Sequence, residues 1–152
     1  MGKPPYEETY FEEIEIGDEV TIENARTITE ADVSTFVGLS GDMHPIHMSK
    51  EHVADHPILE DRVAHGTLVF SIVSSWAAGL NLNRLSYGYD NLRFVVPVYI
   101  GDTLTIQSEV INREEYNEEY GKVVERYEAT NQNGDTVLVA DHISLIQKEK
   151  PQ

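Results

Sequence analysis

The chain has 152 residues, about one domain, and its 40% hydrophobic content is enough for a single core. Its 27 acidic and 11 basic side chains leave a formal net charge of −16, which repels nucleic acid; the absence of cysteine excludes disulfides, a thiol nucleophile and a cysteine-ligated metal. With no apolar run long enough to span a bilayer and no basic-then-apolar leader, a cytoplasmic protein without a membrane segment is expected. Acids recur along the whole length, so the excess reads as a property of the folded surface. Adaptation to high salt, where screening shortens the reach of carboxylate repulsion, is one expectation and an ordinary acidic protein is the other.

In chain order, Tyr10 to Ile16 mixes a few apolar residues with acids and reads as an exposed N-terminal strand or extended arm, stopping at Gly17-Asp18. Val20-Thr21-Ile22 resumes a strand pattern. Thr29 can cap a helix whose third residue, Asp32, completes a capping box, with Val33, Phe36, Val37 and marginally Leu39 on its buried side and Gly41 at its end. Ser49-Lys50-Glu51-His52 starts a second short helix, closed before Pro57. Gly66 to Gly79 is apolar on nearly every face, which predicts a helix about 20 Å long that is buried all round. Strands are expected over 91–98, 103–112, 122–131 and 136–146, with turns at Gly101-Asp102 and Asn133-Gly134. One apolar helix followed by long antiparallel strands predicts an α+β domain, residues 1–152, in which a sheet wraps around that helix.

The chemistry concentrates in Leu39-Ser40-Gly41-Asp42-Met43-His44-Pro45-Ile46-His47. In a helix, five residues at about 100° each would send Asp42 and His47 to different faces. Pro45 resists a helix interior, pushes His44 toward extended dihedrals, and follows a flexible Gly41, so the segment reads as a tight loop. There a carboxylate and an imidazole can converge on one water and act as a general acid–base pair near neutral pH. The plainer reading is an Asp that caps a turn and a His that bonds to it.

The runs Phe36 to His47, Val63-Ala64-His65-Gly66 and Phe94 to Leu104 together resemble the MaoC-like, or (R)-specific enoyl-CoA hydratase, family, and the resemblance covers nearly the whole chain. It implies the hot-dog fold and reversible syn addition of water to a trans-2-enoyl-CoA, giving an (R)-3-hydroxyacyl-CoA. Asp42 and His47 are then the catalytic pair, and the Gly66 amide binds the thioester oxygen. No cofactor is implied beyond the coenzyme A of the substrate. The implied assembly is a homodimer or higher oligomer with sheets joined edge to edge, in fatty-acid metabolism or the supply of polyhydroxyalkanoate precursors. One departure stands out: the family usually has asparagine where this chain has His44, which bears on the pH optimum and makes His44 a candidate third participant. Pro45, His65, Ser71 and Ser74 are further candidates for shaping the pocket. The bland alternatives are that His65 forms the turn and that the serines only allow close helix packing.

Other functions compete. Within the same fold, an acyl-CoA thioesterase usually relies on a polar or acidic residue in or beside the central helix, which here offers only Thr67, Ser71, Ser74 and Ser75. A noncatalytic acyl-CoA-binding protein would leave the pair idle. His52 and His56, four apart, with His44 and His47, could supply a metal hydrolase, but the segment before Pro57 is a poor platform, so no metal is expected. Coenzyme A is itself anionic, so some of Lys50, Arg62, Arg84 and Arg93 must offset the repulsive surface.

Overall fold

A computed structural model describes residues 7–150 of the chain. The residues 1–6 and 151–152 of the expected 1–152 domain lie outside the described residues.

Five strands form one antiparallel sheet in the order β1-β3-β4-β5-β2: β1 is Glu19–Thr27, β2 Arg84–Phe94, β3 Thr103–Glu115, β4 Tyr120–Thr130 and β5 Thr136–Gln147. Buried and half-buried residues alternate strictly over most of β3 and β4, as a strand with one face on a core must. Leu104, Ile106, Tyr127, Ala129, Leu138 and Ala140 thus present one apolar surface. Against it lies the helix α4, Gly66–Ala78, with Leu68, Val69, Ile72 and Val73 buried. Removing such a side chain from water contributes about 1.5–3 kcal/mol. Three shorter helices precede it: α1 (Glu30–Ser40), α2 (Pro45–Met48) and α3 (Lys50–Val53).

Helix α1 begins with the expected reciprocal cap. The Asp32 amide donates to Thr29 Oγ1 at 3.1 Å and the Thr29 amide to Asp32 Oδ2 at 2.8 Å. It ends at Gly41, whose left-handed φ of 78° lets its amide reach the Val37 carbonyl. Leu39 is 81% exposed rather than packed, because the buried side of α1 runs through Val33 with Phe36 beside it.

Several expectations need correction. The 10–16 segment is not an exposed arm: Phe11 opens a 3-10 turn (Phe11–Glu13), and Phe11 and Ile14 enter a second core with Val110, Val123 and Ile146. The Phe11 ring lies so close over Gly121 that a Cβ there would be 2.1 Å from it, and the Arg113 guanidinium covers the ring at 4.2 Å. The second strand begins at Arg84, before the expected 91–98, and stops at Phe94; a register shift with Asn91 at φ 54° breaks it, and Pro97 cannot donate to a ladder. Nor is α4 buried all round. Thr67, Ser71, Ser75 and Trp76 face outward, and the Ser71 and Ser75 hydroxyls bond back to helix carbonyls at 2.8 and 2.7 Å, which hid the polarity of this face.

Candidate active site

The corner that carries Asp42 and His47 is built by local rules. After Gly41, the Asp42 amide donates to Ser40 Oγ at 3.1 Å, and Asp42 Oδ1 accepts the His44 amide at 3.2 Å, a side-chain turn that fixes the carboxylate. Here the expected loop is partly wrong: Pro45 opens the one-turn helix α2 instead of preventing it, because the first helical position needs no N–H. His44 caps that turn, its Nδ1 accepting the Ile46 amide at 3.2 Å. Asp42 therefore precedes the helix and His47 lies within it, so the helical divergence of the two side chains does not arise.

His47 is buried, and its Nδ1 donates to the Val63 carbonyl at 2.7 Å. A carbonyl only accepts, so Nδ1 carries the proton and Nε2 is left as a base. That Nε2 faces Asp42 Oδ2 at 3.8 Å, too long for a hydrogen bond and short enough for both atoms to hold one water. Burial draws the His47 proton affinity below the ordinary imidazole value; the Val63 bond opposes this, the His65 ring adds to it, the Asp42 charge opposes it and His44 adds again. His47 is thus neutral at pH 7.

Val63-Ala64-His65-Gly66 brings the start of α4 to this corner, held by Val63 N to Ile46 O at 3.1 Å and Ala64 N to Val98 O at 2.8 Å. Gly66 is the first helical residue, with an amide that has no intrahelical acceptor. A Cβ on Gly66 would stand 2.6 Å from the Phe94 ring, so a larger residue requires the ring or the helix start to shift. A cavity of about 260 Å³ opens beside it, with His47 and Gly66 in walls otherwise formed by Ile46, Leu59, Val63, Val69, Phe94, Val96 and other apolar residues. An unprotonated imidazole, a carboxylate, a free amide and an apolar chamber can bind a hydrocarbon chain and move a proton beside a polarised carbonyl.

Among the sequence candidates, Asp42, His44, Pro45, His47, His65 and Gly66 come together. Ser71 and Ser74 do not join them: their hydroxyls bond to helix carbonyls, and Ser74 lines a different cavity at the far end of α4. His56 uses Nδ1 to accept the Ile58 and Leu59 amides, both at 3.1 Å, so it is a turn residue and no helix-borne pair with His52 forms. Asp42, His47 and His65 each bring one donor atom within 4.8 Å of the others. The two imidazoles are stacked, however, with centroids 3.6 Å apart and planes at 23°, so their in-plane lone pairs run nearly parallel and do not converge on one ion. The Val63 carbonyl, which selects the His47 tautomer, was not singled out from sequence, although it sits in the Val63 to Gly66 motif.

Of the candidate cations, Arg62 pairs with Glu30 and Arg84 with the buried Glu125. Among the described residues no carboxylate pairs with Lys50 or Arg93 within 4.0 Å. No helix of the described residues is long and apolar enough to cross a membrane.

A sheet curled against one long helix defines an α+β hot-dog fold. The chain belongs to the MaoC-like domain family, whose model matches residues 11–133. It is similar to the protein MaoC of Klebsiella aerogenes, 41% identical over 100 residues that make up 64% of this chain and 29% of that protein. It is also similar to the (R)-specific enoyl-CoA hydratase of Rhodospirillum rubrum, 38% identical over 98 residues, 63% of this chain and 65% of that enzyme. The chain thus spans less than two thirds of the length of these relatives. Among solved structures, an Archaeoglobus protein described as a monoamine oxidase regulatory protein matches with a TM-score of 0.82 and 33% identity, over 94% of this chain and 97% of that one. The unliganded (R)-hydratase PhaJ1 of Pseudomonas aeruginosa matches with a TM-score of 0.74 and 26% identity, over 92% of this chain and 86% of that one.

Proposed function

We propose that this protein is an (R)-specific enoyl-CoA hydratase, a hydro-lyase that adds water reversibly across a trans-2-enoyl thioester. The observation that carries the reading is the open His47 Nε2 facing Asp42 Oδ2 at 3.8 Å, with His47 itself lining an apolar cavity together with Gly66, the first residue of α4. In this reading His47 Nε2 takes a proton from the bound water as its oxygen bonds to the β carbon and the carbon–carbon π bond breaks. The Asp42 carboxylate stabilises the resulting imidazolium, and the pair returns the proton to the α carbon on the same face. Charge that gathers on the thioester oxygen meets the Gly66 amide and the positive end of the α4 dipole, which favour the transition state over the ground state. No cofactor takes part beyond the coenzyme A of the substrate. The test is loss of enoyl absorbance with short and medium trans-2-enoyl-CoAs; no turnover with any of them rejects the reading.

The working unit in this proposal is a homodimer in the cytoplasm. Strand β2 is a sheet edge, and it carries the exposed Leu85, Tyr87, Leu92 and Phe94; Trp76, Leu80 and Leu82 are exposed as well. A free edge with several exposed apolar side chains favours pairing with a second copy. Light scattering that returns a monomer at micromolar concentration contradicts it. Lys50 and Arg93 are the cations assigned to the phosphates of coenzyme A, and the charge of −16 is read as adaptation to high salt, supported if molar potassium chloride raises the melting temperature.

A further inference from the structure

His65 stands at the N-cap of α4 but makes no cap: its side chain bonds to none of the free helix amides. The ring turns inward, is 2% exposed, and makes three contacts. Nε2 donates to the Asp42 carbonyl at 2.9 Å, the ring stacks on His47 at 3.6 Å, and the Phe36 ring meets it at 4.8 Å and 60°. The next residue in the chain is Gly66. One imidazole therefore holds the backbone of the acid, covers the ring of the base and leads into the amide donor.

A residue that merely shaped the entry into α4 needs none of this, since Ser, Thr, Asp or Asn would cap the amides better. The placement also has a cost. Because Nε2 must carry the hydrogen it gives to Asp42, Nδ1 of the neutral ring is an acceptor, and it is buried without a partner. Among the described residues, the other hydrogen bonds of Asp42 go to Ser40 and His44, within its own corner. The bond to His65, twenty-three positions on, is what ties the acid to the rest of the fold.

We infer that His65 is the positioning residue of the site, setting the Asp42 carboxylate, the His47 ring and the Gly66 amide in one fixed relation. This rests on the hydratase reading for its consequence in turnover, and on geometry alone for its hold on His47. Displacing a reacting group by about 1 Å can lower a rate by roughly a hundredfold, so loosening either tether acts on kcat before KM. The groups facing His47 are Asp42, His44 and His65, with the Arg62 guanidinium donating to the His47 carbonyl at 3.4 Å.

Two substitutions in the full chain separate the tethers. His65→Phe keeps a ring on His47 and loses the donor to Asp42; His65→Gln keeps an amide donor near the Nε2 position and loses the stack. Each is expected to lower kcat by roughly tenfold to hundredfold with KM within about twofold of the parent. By NMR titration, the His47 imidazole of His65→Gln moves up toward its ordinary value, because water enters and a neighbouring imidazole is gone. If one variant unfolds, the other decides. Parent kcat in a folded variant, an unmoved His47 titration, or unfolding of both overturns the inference. A parent protein without hydratase turnover rejects the proposed function instead, and the His47 titration still decides what His65 does.

Discussion

His47 at one end of α4 and His142 at the other are both buried, and their hydrogen bonds leave them differently equipped for chemistry. At the N-terminal end, His47 spends Nδ1 on the Val63 carbonyl and keeps Nε2 open toward Asp42 and a cavity. At the C-terminal end, His142 of β5 lines a second cavity but has both nitrogens engaged, Nε2 with Ser86 Oγ at 2.7 Å and Nδ1 with Tyr127 Oη at 2.6 Å. Tyr89 stacks on its ring at 4.3 Å. Burial, with the Arg84 charge adding to it, pushes His142 down to about 4, and burial also keeps the Tyr127 phenol protonated. The Tyr127 hydroxyl is best satisfied by donating to Nδ1, which makes Nε2 a donor to Ser86 and leaves that serine unactivated. Both rings are buried, so burial does not distinguish them; only His47 keeps a lone pair free beside a chamber, as the proposed base requires.

Breaking the N-terminal end has the largest expected effect. Asp42→Asn and His47→Gln each lower turnover by roughly 10²–10⁴ while circular dichroism and melting stay near the parent. Next is Gly66→Ala, where the added methyl meets the Phe94 ring at 2.6 Å and the ring or the amide must move: kcat falls by up to roughly a hundredfold, with a stability loss of about 1–3 kcal/mol in denaturant titration. At the other end, His142→Phe leaves the Tyr127 hydroxyl without its partner, which costs about 1–3 kcal/mol of stability. Its kcat per folded molecule matches the parent, and a rate loss like that of His47→Gln would remove the distinction drawn between the two ends.

The smallest effect is in pH. Both histidines are held below the ordinary imidazole value of 6.5, so on acidification the unfolded chain takes up protons that the folded chain refuses. Their contribution to stability is complete above that value and is lost as pH falls through it, down to about 4 for His142. The melting temperature should drop over this interval in the parent and drop less in His142→Phe.

What could be read from the sequence was local. The Thr29–Asp32 cap, the end of α1 at Gly41 and the turn at Asn133-Gly134 depend on neighbours a few positions away. The closeness of Asp42 and His47 was legible for the same reason, although Pro45 was read as a helix breaker when its position made it a helix opener. The missed features depend on distant partners. Phe11 is buried because Gly121 leaves room for its ring, and the outward face of α4 was masked by serines that satisfy themselves. His65 was a candidate only for shaping the pocket or the turn, and its hold on Asp42 and His47 was not legible because those partners lie far back in the chain.

The most direct test is the rate of water addition to a trans-2-enoyl-CoA by the parent, Asp42→Asn and His142→Phe, measured side by side. Turnover in the parent and in His142→Phe, with a loss of at least roughly a hundredfold in Asp42→Asn, is the predicted result. An Asp42→Asn protein that hydrates at the parent rate contradicts the account.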